Sequence, residues 1–98
     1  MMEERDYLII LYDYYSELLS DKNKEYFEDY YFNNLSLGEI SENIGISRNA
    51  IHKSIKSTVD KLYFYEDKLG LYKKKKEIEK IIDLVDREDI KNRLKDIY

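Results

Sequence analysis

The sequence predicts an all-α protein, a bundle of helices built around a helix-turn-helix motif. Proline is absent from the 98 residues and glycine occurs only three times, a composition that disfavours a turn-rich β fold. Residues 36–56 combine two helix caps with a glycine turn, which is typical of a helix-turn-helix. A chain of this length can form one core, and no internal repeat or linker divides it.

Two predicted helices precede the motif. Helix one, over about residues 6–19, has an apolar stripe made of Leu8, Leu11, Tyr12, Tyr15 and Leu18. Ile9, Ile10 and Tyr14 make its opposite side partly apolar, so we expect this helix to be buried on two sides. Helix two begins after a cap at Ser20 and ends at the two asparagines of residues 33–34. Its aromatic residues are Tyr26, Phe27, Tyr30 and Tyr31.

Helices three and four form the predicted motif. Ser36 and Glu39 form a capping box at the start of helix three, and Gly45 supplies the left-handed residue that ends it. Ser47 caps helix four, in which Ile51 faces inward. The polar side chains that project outward are the candidate nucleic-acid-binding residues, Arg48, Asn49, His52, Lys53 and Lys56. Base-edge contacts normally originate at the start of this second helix.

Helix four is predicted to continue well beyond the motif. Its apolar positions recur at steps of four and three as far as Leu69, and Gly70 is the predicted terminator. At about 1.5 Å per residue the helix is roughly 30 Å long, too long for a three-helix bundle to cover. We therefore expect a second copy of the chain to cover its distal part. The residues predicted to lie in that homodimer interface are Ile10, Tyr14, Leu62, Tyr65 and Leu69.

The last two predicted helices form an extension over residues 71–98, which packs on the same core as the helix-turn-helix domain of residues 1–70. Helix five opens with the lysine-rich stretch after Tyr72, and its inward positions are Ile78, Ile81, Ile82 and Val85. Asp86 with Asp89 resembles a cap for helix six, whose apolar positions are Ile90, Leu94 and Ile97. If these helices fold back on helix four, they bury its seam within one chain and no dimer is required.

The charge pattern is unusual for a nucleic-acid-binding protein. The formal net charge is −4, whereas such domains are usually basic overall. Positive charge is concentrated on helix four and in the four lysines of residues 73–76, so we expect a dipolar surface with weak non-specific affinity. Helix-turn-helix folds also serve as protein-interaction modules, and a lysine run is often only a solvated face.

Several functional classes are disfavoured. The chain has no cysteine, which excludes disulfides and thiolate metal sites, and we expect neither metal nor cofactor. One histidine and no glycine-rich phosphate loop leave no base-plus-nucleophile pair, so we interpret the protein as not an enzyme. No apolar run approaches about 18 residues and no leader opens the sequence. We therefore expect a soluble cytoplasmic protein that does not insert into membranes.

Three segments resemble a known family in their order and spacing. They are LSDKNKEYFEDYY at residues 19–31, LSLGEISENIGISRNAIHKSIKST at residues 35–58 and YEDKLGLY at residues 65–72. Together they resemble the YlxM-like family of small bacterial proteins, over about residues 5–72. The remaining tail is only generically similar to the family.

The resemblance implies a fold similar to region 4 of bacterial sigma factors, the part that reads promoter DNA. Genes of the family characteristically neighbour those of the signal recognition particle GTPase and its receptor, which implies a role in that protein-export pathway or in its regulation. No catalytic or cofactor residues carry over. The motif from Leu37 to Lys56 carries over as a nucleic-acid-binding element, with operator DNA or the particle's RNA as its ligand. The alternatives are docking on the particle's GTPase without nucleic acid and a stand-alone transcription regulator.

Overall fold

The computed structural model describes residues 2–85 and 87–97, and their regular structure is entirely helical, which confirms the all-α prediction. The six helices are α1 (Glu4–Tyr15), α2 (Asp21–Tyr31), α3 (Leu37–Ile44), α4 (Arg48–Leu69), α5 (Leu71–Asp83) and α6 (Glu88–Lys95). The molecule is elongated, with principal dimensions of 56 × 24 × 23 Å. Over the described ranges, no helix is long and apolar enough to cross a lipid bilayer.

Two buried clusters form the core, and α4 contributes to both. The larger cluster joins α1, α2 and α4 and consists of Leu8, Leu11, Tyr12, Tyr15, Leu19, Phe27 and Leu62. The smaller cluster joins α2, α3 and α4 and consists of Tyr26, Ile40, Ile51 and Ile55. Burying an aliphatic or aromatic side chain of this size contributes about 1.5–3 kcal/mol. The inner side of α4 is therefore the common surface on which the first three helices pack.

The end of α1 differs from the predicted helix. The α-helix stops at Tyr15, and a 3₁₀ turn over Ser16–Leu18 follows, whose tighter winding changes the direction of the next side chains. Leu18 is 55% exposed, and Leu19 is buried in the larger cluster instead. The prediction that Leu18 continues the apolar stripe of α1 is therefore wrong.

The predicted start of α2 is confirmed, and its end lies two residues before the predicted break at residues 33–34. The Ser20 hydroxyl accepts a hydrogen bond from the backbone N–H of Asn23 at 3.2 Å, and the helix ends at Tyr31. Asn34 adopts a positive φ of 55°, a conformation that asparagine tolerates because its short side chain can form local hydrogen bonds. The Arg5 guanidinium of α1 holds this loop, since it donates to the Tyr31 carbonyl and, at 2.7 Å, to Asn34 Oδ1.

Of the two C-terminal helices, α5 lies against α1 and α4, and α6 lies against α5. Tyr72 of α5 packs on the larger buried cluster. Ile82 is buried, whereas Ile81 is 50% exposed, so the prediction that Ile81 faces inward is wrong. The predicted cap at Asp86 lies outside the described residues. α6 begins at Glu88 without a side-chain cap and contacts α5.

The chain itself covers part of the apolar seam of α4. Leu62 is completely buried in the larger cluster, because α1 crosses α4 at this level, and it therefore has no surface to offer a second copy. Its assignment to a dimer interface is wrong. Tyr65 is half-buried against Tyr15, with ring centroids 5.9 Å apart, while Leu69 remains 46% exposed. The other residues assigned to that interface are half-buried on α1 and are Ile10 and Tyr14.

Candidate nucleic-acid interface

α3 and the first half of α4 form a helix-turn-helix whose turn is held by local hydrogen bonds. The Ser36 hydroxyl accepts from the Glu39 N–H at 3.1 Å, and the Glu39 carboxylate accepts from the Ser36 N–H at 3.1 Å, which confirms the capping box. Gly45 ends α3 with a φ of 80°, as predicted. The Ser41 hydroxyl donates to the Ile46 carbonyl across the turn. These contacts set the direction in which α4 leaves the turn.

The start of α4 places the candidate residues on one exposed surface. The Ser47 hydroxyl accepts from the Ala50 N–H at 3.2 Å, and Ile51 and Ile55 are buried. These buried positions fix the rotation of the helix, so the polar positions between them face solvent. The exposed candidate residues, which we call the motif face, are Arg48, Asn49, His52, Lys53 and Lys56.

The Arg48 guanidinium does not point straight out from the motif face but folds back onto Gly38 of α3. A Cβ atom at Gly38 would lie 2.8 Å from Arg48 Nη2 and 3.0 Å from Arg48 Cζ, so the guanidinium occupies the space of a side chain at that position of α3. Arg48 must therefore leave the first turn of α3 before it can reach a base edge. The only sequence signal for this arrangement is a glycine inside an otherwise well-formed helix, and Gly38 was not predicted to contact Arg48.

Lys56 has a carboxylate neighbour on the same helix. Its Nζ lies 3.8 Å from the Asp60 carboxylate, one turn further along α4, and the two side chains are 68% and 66% exposed. Exposed pairs of this kind contribute little to stability because solvent screens them. Lys56 can therefore exchange Asp60 for a phosphate group at little cost in free energy.

A shallow cleft of about 200 Å³ opens beside the motif face, where α2 meets α4. His52 and Lys56 line its outer side, and Tyr30 and Tyr31 line its α2 side. The two tyrosine rings are half-buried and meet edge to face with centroids 5.1 Å apart. Both rings also pack against the buried clusters, so their main role is structural.

The local charge of α4 is opposite to that of the whole protein. α4 carries five basic and three acidic side chains, although the formal net charge of the protein is −4. Lys61 and Lys68 continue the exposed basic positions beyond the motif face. Charges act on a ligand mainly within a Debye length, about 8–10 Å at physiological ionic strength. Acidic residues on the other helices therefore weaken the electrostatic attraction between α4 and a phosphate group, but they do not turn it into repulsion.

The outer side of the second half of α4 was not among the predicted site residues. There a groove of about 640 Å³ is lined by Lys53, Lys56, Ser57, Asp60, Lys61, Phe64 and Tyr65. It begins at the motif face, which supplies the first two of these residues. Sequence spacing could have identified it, because positions 53, 57, 61 and 64 follow one side of a helix. The apolar periodicity of this segment indicates only its inward side.

The side chains of the motif face are suited to binding phosphate groups and base edges. Lysine ammonium groups and the Asn49 amide can donate hydrogen bonds to phosphate oxygens and base acceptors. In the part of the chain that the structure describes, no group of three or more histidine, aspartate or glutamate side chains could hold a metal ion.

Comparison with known proteins identifies the family of this chain. The sequence model of a family described as "Putative helix-turn-helix protein, YlxM / p13 like", UPF0122, matches residues 2–97. A UPF0122 protein of Caldanaerobacter subterraneus subsp. tengcongensis is 49% identical over 79 residues, which are 81% of this chain and 68% of the relative. A UPF0122 protein of Fusobacterium nucleatum is 53% identical over 75 residues, or 76% and 73% of the two chains. A UPF0122 protein of Listeria innocua is 43% identical over 83 residues, or 85% and 76%. The resemblance inferred from the sequence is thereby confirmed, and this chain belongs to the YlxM/p13-like family UPF0122.

Proposed function

We propose that this protein is a non-catalytic, nucleic-acid-binding regulator or accessory protein of the signal recognition particle pathway of protein export. The observation that carries the proposal is the motif face, which a capped helix-turn-helix holds on one exposed side of α4. The resemblance to YlxM-like proteins supports the pathway, because genes of that family neighbour those of the particle's GTPase and its receptor. The proposed ligand is operator DNA or the particle's RNA, and either ligand implies a cytoplasmic location.

The motif face suggests how each residue would act. Lys53 and Lys56 would contact phosphates, which position the protein and make binding salt-dependent. Asn49 lies in the first turn of α4, where an amide can pair with the edge of an adenine. Arg48 would join it after leaving Gly38.

A second candidate function is docking on the particle's GTPase without nucleic acid. Two observations favour it. The net charge of −4 repels phosphate at long range, and the Arg48 guanidinium is turned back onto α3. The third candidate, a stand-alone transcription regulator, would use the same motif face on operator DNA.

Co-purification from native cells, with and without nucleases, separates these functions. Our proposal predicts that the tagged protein recovers nucleic acid, and that ribonuclease or deoxyribonuclease treatment releases it. Recovery of the particle's RNA, or of DNA upstream of export genes, would support the pathway. If the GTPase is still recovered after nuclease treatment and no nucleic acid is bound, the result would support docking on the GTPase and contradict the proposed nucleic-acid binding.

We also propose that the protein is a homodimer that pairs through the apolar surface around α5. A groove of about 450 Å³ lies between α1, α5 and the segment after α6. Its apolar lining residues are Tyr14, Leu71, Ile78 and Ile97, and its charged lining residues are Asp13, Lys74 and Lys75. Leu71 in this lining is 41% exposed, and Leu69, two residues earlier in the chain, is 46% exposed. Monomers rarely expose contiguous apolar patches beyond a few hundred Å², and two-fold pairing is the commonest way to cover one.

A further inference from the structure

Phe64 lies on the outer side of α4 among lysine side chains. Its ring is 56% exposed, although most large apolar side chains of this helix face the core. The Lys68 ammonium lies 5.7 Å from the ring centroid, and Lys61 lines the same groove three residues earlier. The side chain therefore contributes little to the core, and its distinguishing feature is its position between two lysine side chains on the outer side of α4.

Other exposed aromatic rings have partners on neighbouring helices. The Tyr63 hydroxyl donates to Glu4 at 3.2 Å, and Phe32 packs against Tyr12 with centroids 5.6 Å apart. Within the described ranges, the ring and cation contacts of Phe64 are with residues of α4 itself, Tyr65 and Lys68. One side of the Phe64 ring is thus available to a ligand.

The groove connects this ring to the motif face. Lys53 belongs to both, and Phe64 follows it by eleven residues, about 16 Å along the helix axis. Lys61 lies between them on the same groove, and Asp60, which is paired with Lys56, is the one acidic residue among the described residues of its lining. A nucleic acid strand that contacts Lys53 through a phosphate would therefore pass the ring if it followed α4.

We propose that Phe64 is a stacking platform for an unpaired base, with Lys61 and Lys68 on the adjacent phosphates. This inference rests on the proposed nucleic-acid function and specifies the ligand as a strand with at least one unpaired base. A fully paired duplex offers no free base face, whereas loops, bulges and single strands do. Lys68 is 62% exposed and 3.8 Å from Asp67, so it can leave the ring for a phosphate at little cost.

Substitutions at Phe64 test the stacking directly, with single-stranded oligoadenylate and a fully paired duplex as probes at low ionic strength. Phe64→Ala should weaken binding of the single strand by about 5- to 100-fold, the range expected for one lost base stack. It should change duplex binding by less than about twofold, and Phe64→Tyr should bind as the parent protein does. Leu84→Ala is the control, because Leu84 is 83% exposed and lies outside α4. Since Phe64 is exposed, these variants should keep the helical circular dichroism of the parent.

A fluorescence measurement gives an independent readout. The chain contains no tryptophan, so Phe64→Trp introduces the only indole. Stacking predicts that oligoadenylate quenches its fluorescence and that the duplex does not. Suppose that charge reversal at Lys53 and Lys56 abolishes oligoadenylate binding, whereas Phe64→Ala has no effect on it and the indole is not quenched. This result would overturn the stacking proposal and leave the proposed function standing. If neither probe binds the parent protein, the stacking proposal fails, and the co-purification from native cells decides the proposed function separately.

Discussion

The Tyr15 hydroxyl donates a 2.5 Å hydrogen bond to Glu66 Oε1, which joins the end of α1 to the second half of α4. The same carboxylate accepts from the backbone N–H groups of Tyr72 and Lys73 at 3.2 and 3.1 Å. The Leu71 N–H donates to the Tyr15 hydroxyl oxygen at 3.1 Å. The first three N–H groups of α5, which have no partner within that helix, are thus satisfied by side chains of two other helices. We call this arrangement the Glu66 joint, and it sets the position of α5.

The Glu66 joint predicts a specific loss of stability. Glu66→Ala leaves the buried Tyr15 hydroxyl without its acceptor and removes the cap of α5, which should lower the free energy of unfolding by about 1–3 kcal/mol. Urea unfolding followed by circular dichroism measures this change. The control is Asp67→Ala, because Asp67 is 76% exposed and 3.8 Å from Lys68. Equal unfolding free energies for the two variants would show that the joint does not stabilise the fold.

The stability of the protein should also fall at alkaline pH. Burial, and then the hydrogen bond to Glu66, raises the pKa of Tyr15 from its ordinary value of 10.0 to about 12. Between these values the folded protein keeps the proton and the unfolded chain releases it, so the contribution is complete below pH 10 and is lost as the pH rises towards 12. Burial raises the pKa of Tyr12 as well, so its contribution should remain in a Tyr15→Phe variant.

Urea unfolding at a series of pH values tests this dependence. Tyr15→Phe should lose stability less steeply above pH 10 than the parent protein does, because one group with a raised pKa has been removed. A variant whose stability declines as steeply as that of the parent would contradict the assignment to Tyr15.

The turn of the motif depends on the backbone conformation of Gly45. Its φ is 80°, and apart from Gly45 itself and its two chain neighbours no residue has a heavy atom within 4 Å of the position that a Cβ would take, so only backbone strain opposes a side chain there. Gly45→Val should cost about 1–2 kcal/mol and lower the melting temperature, whereas Gly45→Asn should retain most of the stability. If the valine and asparagine variants melt at the same temperature, backbone strain is not the reason for the glycine.

The proposed homodimer predicts a change in mass when the surface around α5 becomes charged. Sedimentation equilibrium of the intact protein at micromolar concentration should give a dimer. Leu71→Glu should give a monomer that remains folded, because Leu71 is 41% exposed and a glutamate is favourable in the first turn of a helix. A parent protein that sediments as a monomer would contradict the proposal and indicate that the C-terminal helices cover enough of the apolar surface.

The features that could be predicted from the sequence depend on residues close together in the chain. The capping box of Ser36 and Glu39 and the left-handed glycines at 45 and 70 were all predicted, because each involves residues a few positions apart. Leu18 was misplaced because a 3₁₀ turn replaced the last turn of the helix, and periodicity alone does not reveal such a change.

Contacts between distant positions could not be predicted. Tyr15 and Glu66 are 51 residues apart, and nothing near either residue indicates the hydrogen bond between them. The same is true of the Arg48 guanidinium above Gly38, which requires the angle between α3 and α4 to be known. The exposure of Phe64 was within reach of sequence reasoning, since it follows from the rotation of α4 that Ile51 and Ile55 define.

The central claim, that the motif face binds nucleic acid, is tested most directly by charge reversal on α4. Lys53 and Lys56 are both exposed, so Lys53→Glu with Lys56→Glu should leave the fold intact. The control is Lys80→Glu with Lys95→Glu, which changes the net charge equally at exposed positions of α5 and α6. In gel-shift titrations at low salt we expect the α4 variant to lose binding and the control to keep most of it, since close phosphate contacts dominate affinity. Equal affinities of the two variants would contradict the claim and show that the motif face is not the binding surface.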